Sequence, residues 1–308
     1  MIDGTVRHNA PIGVTVRNAV CGFLWRMAGT TPRARAVGAE LRRAREDAGL
    51  SARTLAARIG VAHTTIGRWE SGERNPRPID VATVLGALGT DPDLREELVE
   101  LARDSDGRHW VASGLPEQQR QLAALLELER DAARIVNVSP LIVPGLLQTS
   151  AYARAIIGAG GVPASDVETR VAVRIGRRDA ITRRENPVEL LALFDETALG
   201  RNIGGPAVMA EQLRALDEAS RWGNVTVRAI PESAGWHPAL EGPFVLLEFA
   251  DRTPVVQIEN RRSALFFHQP ADVEAYQLAI DRVQDVAMSP EETRTLIAEV
   301  LGNLETAA

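Results

Sequence analysis

The chain contains no lysine: all 35 residues counted as Lys+Arg are arginine. That excludes Schiff-base chemistry at a lysine, and it leaves any phosphate contact to a planar, permanently charged guanidinium. There is one cysteine, Cys21, so an internal disulfide framework is excluded and a reducing cytoplasm is the expected setting. No apolar run approaches the ~20 residues of a membrane span. The short apolar patch at 19–25 is brief for a secretory core, and no small-residue cleavage site follows it. The five histidines, His8, His63, His109, His237 and His268, share no metal-ligand spacing. Gly158-Ala159-Gly160-Gly161 lacks the strand-then-helix context of a dinucleotide fingerprint, and no serine sits in a nucleophile elbow. The Asp195-Glu196 pair at a strand end reads more simply as a helix N-cap with a first-turn acid than as an acid–base couple. No enzyme activity, catalytic residue, cofactor or metal is therefore expected.

What is present has ordinary globular composition, 45% apolar and 25% charged over 308 residues, with length for about two domains. The basic charge is concentrated. Residues 33–80 hold ten arginines against six acidic residues, a net of +4 in a chain whose total is −6. In the same stretch Leu41, Leu55, Ile59, Ile66 and Trp69 recur at helical spacing and predict the buried side of three short helices. Gly49 can end the first and Ser51 can N-cap the second. Gly60 falls where the sharp turn into the third helix needs positive φ. Gly72 and Asn75-Pro76 stop that third helix. Helix, tight turn and helix beneath concentrated arginine predict a DNA-binding head.

The run Leu55-Ala56, Gly60-Val61, Thr65-Ile66, Trp69-Glu70, Gly72 and Pro76 resembles the XRE or phage-repressor-like helix-turn-helix family over about 37–103, with the last two of five helices at 79–88 and 91–103. The resemblance implies that the third helix enters the major groove and places His63, Thr64, Thr65 and Arg68 at base-reading positions. Arg68 could fork onto guanine O6 and N7, and the threonine methyls could meet thymine methyls. Arg42, Arg43, Arg53, Arg74 and Arg77 are expected at phosphates, which position without specifying. Arg45 and Glu70 match a structural ion pair of the family. Two positions depart from it: Ala62 stands where members carry a capping Ser, and Ala52 where they carry a phosphate-touching Gln.

Beyond the head, residues 104–116 read as a linker and 117–304 as a second domain. Helices are expected at 117–136, 150–157, 165–183, 205–221, 271–286 and 290–304, and strands at 188–195, 224–230, 244–249 and 255–259. The fold class expected is thus an all-α five-helix helix-turn-helix head followed by an α+β domain with a small sheet packed by helices. Pro144-Gly145 signals a turn, type II if Gly145 takes positive φ. His237 reads as a loop histidine in water, and Trp236 and His237 together form a candidate partner or ligand surface. The motifs Pro144-Gly145-Leu146-Leu147-Gln148-Thr149, Tyr152-Ala153-Arg154, Asp195-Glu196, Gly204-Gly205-Pro206 and Trp236-His237-Pro238 resemble an antitoxin-like domain found behind such heads in developmental regulators, over about 117–301. That resemblance implies a small companion protein encoded nearby.

The expected function is a cytoplasmic, nucleoid-associated transcriptional regulator that binds double-stranded DNA. A homodimer on a pseudo-palindromic operator is expected, because one small head reads too few base pairs. The competing readings are an antitoxin-like interaction module with a vestigial head, and a metabolite-responsive repressor with a pocket between the sheet and helix 117–136. Residues 1–34 are read as an N-terminal extension. Residues 1–26 of it are expected to be a translated leader before a start at Met27, the alternative being a genuine arm that touches DNA or a partner.

Overall fold

A computed structural model describes residues 31–103, 109–111, 115–260 and 264–307. The expectations for residues 1–26, and Cys21 with them, lie outside these.

The head is built from α1 (Pro32–Asp47), α2 (Ala52–Ile59), α3 (His63–Glu70), α4 (Pro78–Leu88) and α5 (Pro92–Arg103). Thr31 caps α1 by accepting from the Ala34 amide at 3.1 Å, and Ser51 caps α2 by accepting from the Thr54 amide at 3.0 Å. Gly60 closes α2 at φ 74°, a left-handed turn that a side chain would strain. Val37, Leu41, Leu55, Ile66, Trp69, Val84, Leu85 and Leu98 form the buried centre. Ile59, expected among them, is only half-buried and packs at the margin.

The stretch read as a linker contributes β1 (His109–Val111), which pairs antiparallel with a strand near the end of the chain. A polar, glycine-containing sequence carries no periodicity over three residues, so an edge strand this short is invisible in it. After α6 (Leu115–Asp131) comes β2 (Arg134–Val138), at the place where the expected helix ran on to residue 136. Ala132-Ala133 continue the helical pattern, but Ile135, Val136 and Val138 are β-branched and bury on both faces of a sheet.

The short 3₁₀ turn Gly145–Leu147 leads into α7 (Ser150–Ala159), α8 (Ala164–Gly176) and α9 (Asp179–Thr182). The expected turn at Pro144-Gly145 is present; Gly145 is not among the positive-φ glycines, so it is this 3₁₀ turn and not type II. Then follow β3 (Glu189–Asp195), α10 (Thr197–Gly200), α11 (Pro206–Ala219), β4 (Val225–Ile230), β5 (Phe244–Glu248), β6 (Val255–Glu259), β7 (Ala264–Phe267), α12 (Pro270–Val286) and α13 (Pro290–Ala307).

The sheet has seven strands among the described residues, in the order β1-β7-β6-β5-β2-β3-β4. β2, β3 and β4 run parallel and the remaining pairs antiparallel, so six strands of the C-terminal domain and one from the connecting stretch make a mixed sheet larger than expected. One face, with Ile135, Ala192, Phe194 and Val227, packs against apolar residues of α6, α7, α11 and α13; the other, with Val136, Leu193 and Leu246, packs against Val273, Ile280 and Val283 of α12. The edge strand β4 is covered rather than left open: its Ala229 amide donates to Thr293 Oγ1 at 2.9 Å, and the Met288 amide donates to the Ala229 carbonyl at 2.8 Å. Arg228 donates to the carbonyls of Gln284, Ala287 and Met288 at 2.6–2.9 Å, satisfying the orphan acceptors that end α12.

The head is not hung on a free tether. α1 packs along α6, and a single apolar cluster runs from Ala36 and Val37 through Leu125 and Leu128 to the sheet. Arg35, 7% exposed, donates to Asp131 Oδ2 at 2.9 Å, and Arg252 reaches the same oxygen at 3.2 Å. One carboxylate at the end of α6 therefore joins the head to the β5–β6 connection.

Candidate nucleic-acid interface

Two buried anchors, Ile66 and Trp69, set the orientation of α3. With those turned inward, helical spacing turns His63, Thr64 and Arg68 outward, and all three are exposed, while Thr65 is half-exposed at the flank. The four residues expected at base-reading positions therefore share one helix and its solvent-facing side. Behind them the Arg45 guanidinium grips Glu70 with both arms, Nε to Oε1 at 2.6 Å and Nη2 to Oε2 at 2.9 Å, and its third donor takes the Leu50 carbonyl at 2.7 Å. The two side chains are 11% and 9% exposed, so this bidentate pair holds the end of α3 to α1 in a setting where little water competes.

Close backbone contact does the same work at Gly38. A Cβ there would lie 2.3 Å from the Trp69 carbonyl oxygen, so α1 and α3 approach at a distance only glycine allows. Nothing in the apolar pattern marked this glycine. The signal was its place inside an otherwise unbroken helix, where a glycine costs about 1 kcal/mol and needs a reason.

The structure divides the cations expected at phosphates. Arg53, on the first turn of α2, and Arg74, past the end of α3, are exposed and form no salt bridge among the described residues. The positive end of α2 adds to the field beside Arg53. Three others are already engaged. Arg42 donates to Glu46 at 3.2 Å, and Arg43 lies 3.9 Å from Asp47, both along α1. Arg77 forks onto Asp80 with two bonds of 2.9 Å, and its backbone amide donates to the same carboxylate at 3.0 Å, at the start of α4. That guanidinium holds the Asp80 carboxyl below its usual range. Arg42 also lies close enough to Glu127 of α6 to act on its charge, which puts it toward the joint with the C-terminal domain. These pairings were hidden because an arginine count along a sequence does not say which carboxylate folds back onto each one. Arg68 itself makes a loose, exposed contact with Glu73 at 3.3 Å.

The Ala62 departure is visible as an N-cap of α3 with no side-chain hydrogen bond. The Thr65 amide donates to the Ala62 carbonyl at 2.9 Å, which leaves the amides of His63 and Thr64 for solvent or for a ligand.

The C-terminal motifs resolve into scaffolding. Gln212, fully buried, donates to the Leu147 carbonyl at 2.8 Å and accepts from the Thr149 amide at 2.7 Å, fastening the 145–149 turn to α11. Asp195 accepts from the Thr197 amide at 2.9 Å and Glu196 from the Glu232 amide at 2.7 Å, so both carboxylates are occupied with backbone. His237 is not the solvated loop residue expected. It is 2% exposed, its Nε2 lies 3.7 Å from Asp195 Oδ2, and its Nδ1 is buried with no hydrogen-bond partner. The chain folds it inward over the end of β3, beside Asp195. Trp236 beside it remains 66% exposed, so of the candidate surface pair only the tryptophan is at the surface.

Among the described residues no helix is long and apolar enough to cross a membrane. Comparison with family models matches residues 36–98 to one described as Helix-turn-helix domain and residues 122–299 to one described as Domain of unknown function (DUF5753). No curated protein matches the chain. The first match, together with the outward face of α3, supports a DNA-binding regulator. The second takes in more than half of the chain, and the protein therefore belongs to the family of the Domain of unknown function (DUF5753), carried behind a helix-turn-helix DNA-binding head.

Proposed function

We propose that this protein is a sequence-specific transcriptional regulator of the XRE type, not an enzyme, which binds an operator as a symmetric dimer and is modulated through its antitoxin-like C-terminal domain. The observation that carries this reading is the outward face of α3: His63, Thr64 and Arg68 stand exposed on a short helix locked from behind by Ile66, Trp69 and the Arg45–Glu70 pair. Such a helix offers base-reading side chains at no further ordering cost to its backbone. Two heads related by a dyad would read half-sites about one helical turn, roughly 10 base pairs, apart.

Selection of bound duplexes from a random pool tests the reading. A palindromic consensus is expected, and Arg68→Ala is expected to weaken binding by about 1–3 kcal/mol while relaxing one base position. A selection that enriches no sequence defeats the proposal.

One observation favours a second reading, an interaction module with a weak head: two of the five expected phosphate contacts, Arg42 and Arg77, are hydrogen-bonded to carboxylates, and α3 lacks its cap. In either case a companion protein would find an apolar foothold at Trp236 and Leu240, 66% and 51% exposed on neighbouring turns. Chromatin immunoprecipitation with and without the neighbouring small gene separates the two. Peaks that change on deletion support the modulated regulator, and an empty profile in both strains supports the interaction module.

A further inference from the structure

The face of the sheet covered by α12 carries a groove of about 390 Å³, between the 3₁₀ turn Pro238–Glu241 and the helix. Phe244, Ile258, Tyr276 and Ala279 line it, with Glu241 and Glu259 in its wall. Tyr276 is the centre of an aromatic cluster: its ring lies 4.9 Å from that of Phe244, tilted by 59°, and 5.9 Å from that of Phe267. The charged residues that line the groove, among those described, are both acidic. Glu259 shares its field with Arg174 and Arg177, but Glu241 has no salt bridge among the described residues, and Asp272 on the first turn of α12 adds to it. Burial pushes the Tyr276 hydroxyl above its ordinary value, and Glu241 and then Asp272 push it further, so the phenol stays a neutral donor. No described residue lining the groove is cationic.

Acidic groups in the wall of a groove draw a cation toward it, and the negative face of an aromatic ring attracts one as well. The volume suits a small molecule. We propose that this groove binds a small organic cation, an ammonium on an apolar or aromatic body, with the charge held by Glu241 and Tyr276 and the body along Phe244 and Ile258. The site lies apart from α3, and the proposal does not rest on DNA binding.

Calorimetric titration of the full chain with 2-phenylethylammonium, 3-phenylpropionate and 2-phenylethanol tests it, since the three probes share a ring and differ in charge. The ammonium is expected to bind saturably and at least about tenfold more tightly than the other two. Glu241→Gln and Tyr276→Leu are each expected to weaken it by about fivefold or more. Because Glu241 is exposed, Glu241→Gln should leave the thermal midpoint unchanged. Equal binding of all three probes overturns the proposal, as does no saturable binding of the ammonium up to about 20 mM, or an affinity untouched by Glu241→Gln. A preference for the carboxylate overturns it too. Mobility shifts with the same variants stay at the wild-type level whichever way the titration falls, so its failure is separable from that of the DNA-binding reading.

Discussion

Arg45 and Arg53 flank the start of the same helix and have opposite roles. Arg45 spends its guanidinium inside the head on Glu70 and the Leu50 carbonyl; Arg53 keeps its charge for whatever approaches from solvent. Surface ion pairs are worth little, but they do compete with an incoming phosphate for the same fork, so the arginines held by neighbours along α1 should matter less to DNA than those left open. Arg53→Ala is expected to lower affinity for any duplex about equally and to reduce the dependence of log K on log salt by about one. Arg42→Ala is expected to leave both unchanged within error. Mobility shifts over a salt series check the pair, and an Arg42→Ala effect as large as that of Arg53→Ala would contradict the assignment. His237 shows the same dependence on surroundings in the other direction. A histidine between tryptophan and proline looks like a loop residue until the fold sets it beside Asp195.

For the helices, end chemistry was legible and depth of packing was not. Ser51, Gly60 and Gly72 lie at the caps and turns their residue types require, because capping is a contact within a few residues of sequence. Ala62 is the exception, and Ala62→Ser is expected to raise the stability of the head by about 0.5–1 kcal/mol in thermal unfolding by adding the acceptor that α3 lacks. Gly38 and Gly67 both sit inside helices and look alike on paper. A Cβ at Gly38 overlaps the Trp69 carbonyl, whereas one at Gly67 meets nothing within 4 Å. Gly38→Ala should therefore cost about 1–3 kcal/mol, and Gly67→Ala should gain up to about 1 kcal/mol from helix propensity; urea midpoints of the two variants should move in opposite directions. β2 was read as the tail of α6 because two alanines extend the helical period past Asp131. Only its pairing with β3 and β5 distinguishes a buried strand from a buried helical turn, and pairing is a property of partners far along the chain.

Taken whole, the molecule is joined where the linker was expected to separate it. Glu127 of α6 is half-buried: the burial it has, and after it Asp131, pushes its carboxyl above the usual range, with Arg35, Arg130 and Arg42 opposing. A carboxyl raised in the folded state costs nothing below its unfolded value. The cost grows as pH rises from there through the folded value, and it is fully present above. Glu127→Gln should thus raise the thermal midpoint at neutral pH, by less than about 1 kcal/mol for a half-exposed group, and should remove that part of the decline on going from mildly acid to neutral pH. Equal midpoints for variant and wild type across that range would contradict this account of the joint.

The head is legible in its residues alone: its helix caps, its left-handed turns and the outward set of α3 all follow from local residue chemistry, which acts over a few positions and needs no partner. Long-range packing settles which arginines are left open, that His237 is buried, that β1, β2 and β7 complete a seven-stranded sheet among the described residues, and that α1 and α6 share one core. Each of these depends on groups brought together from distant parts of the chain, where burial and competition among charges settle what residue type leaves open.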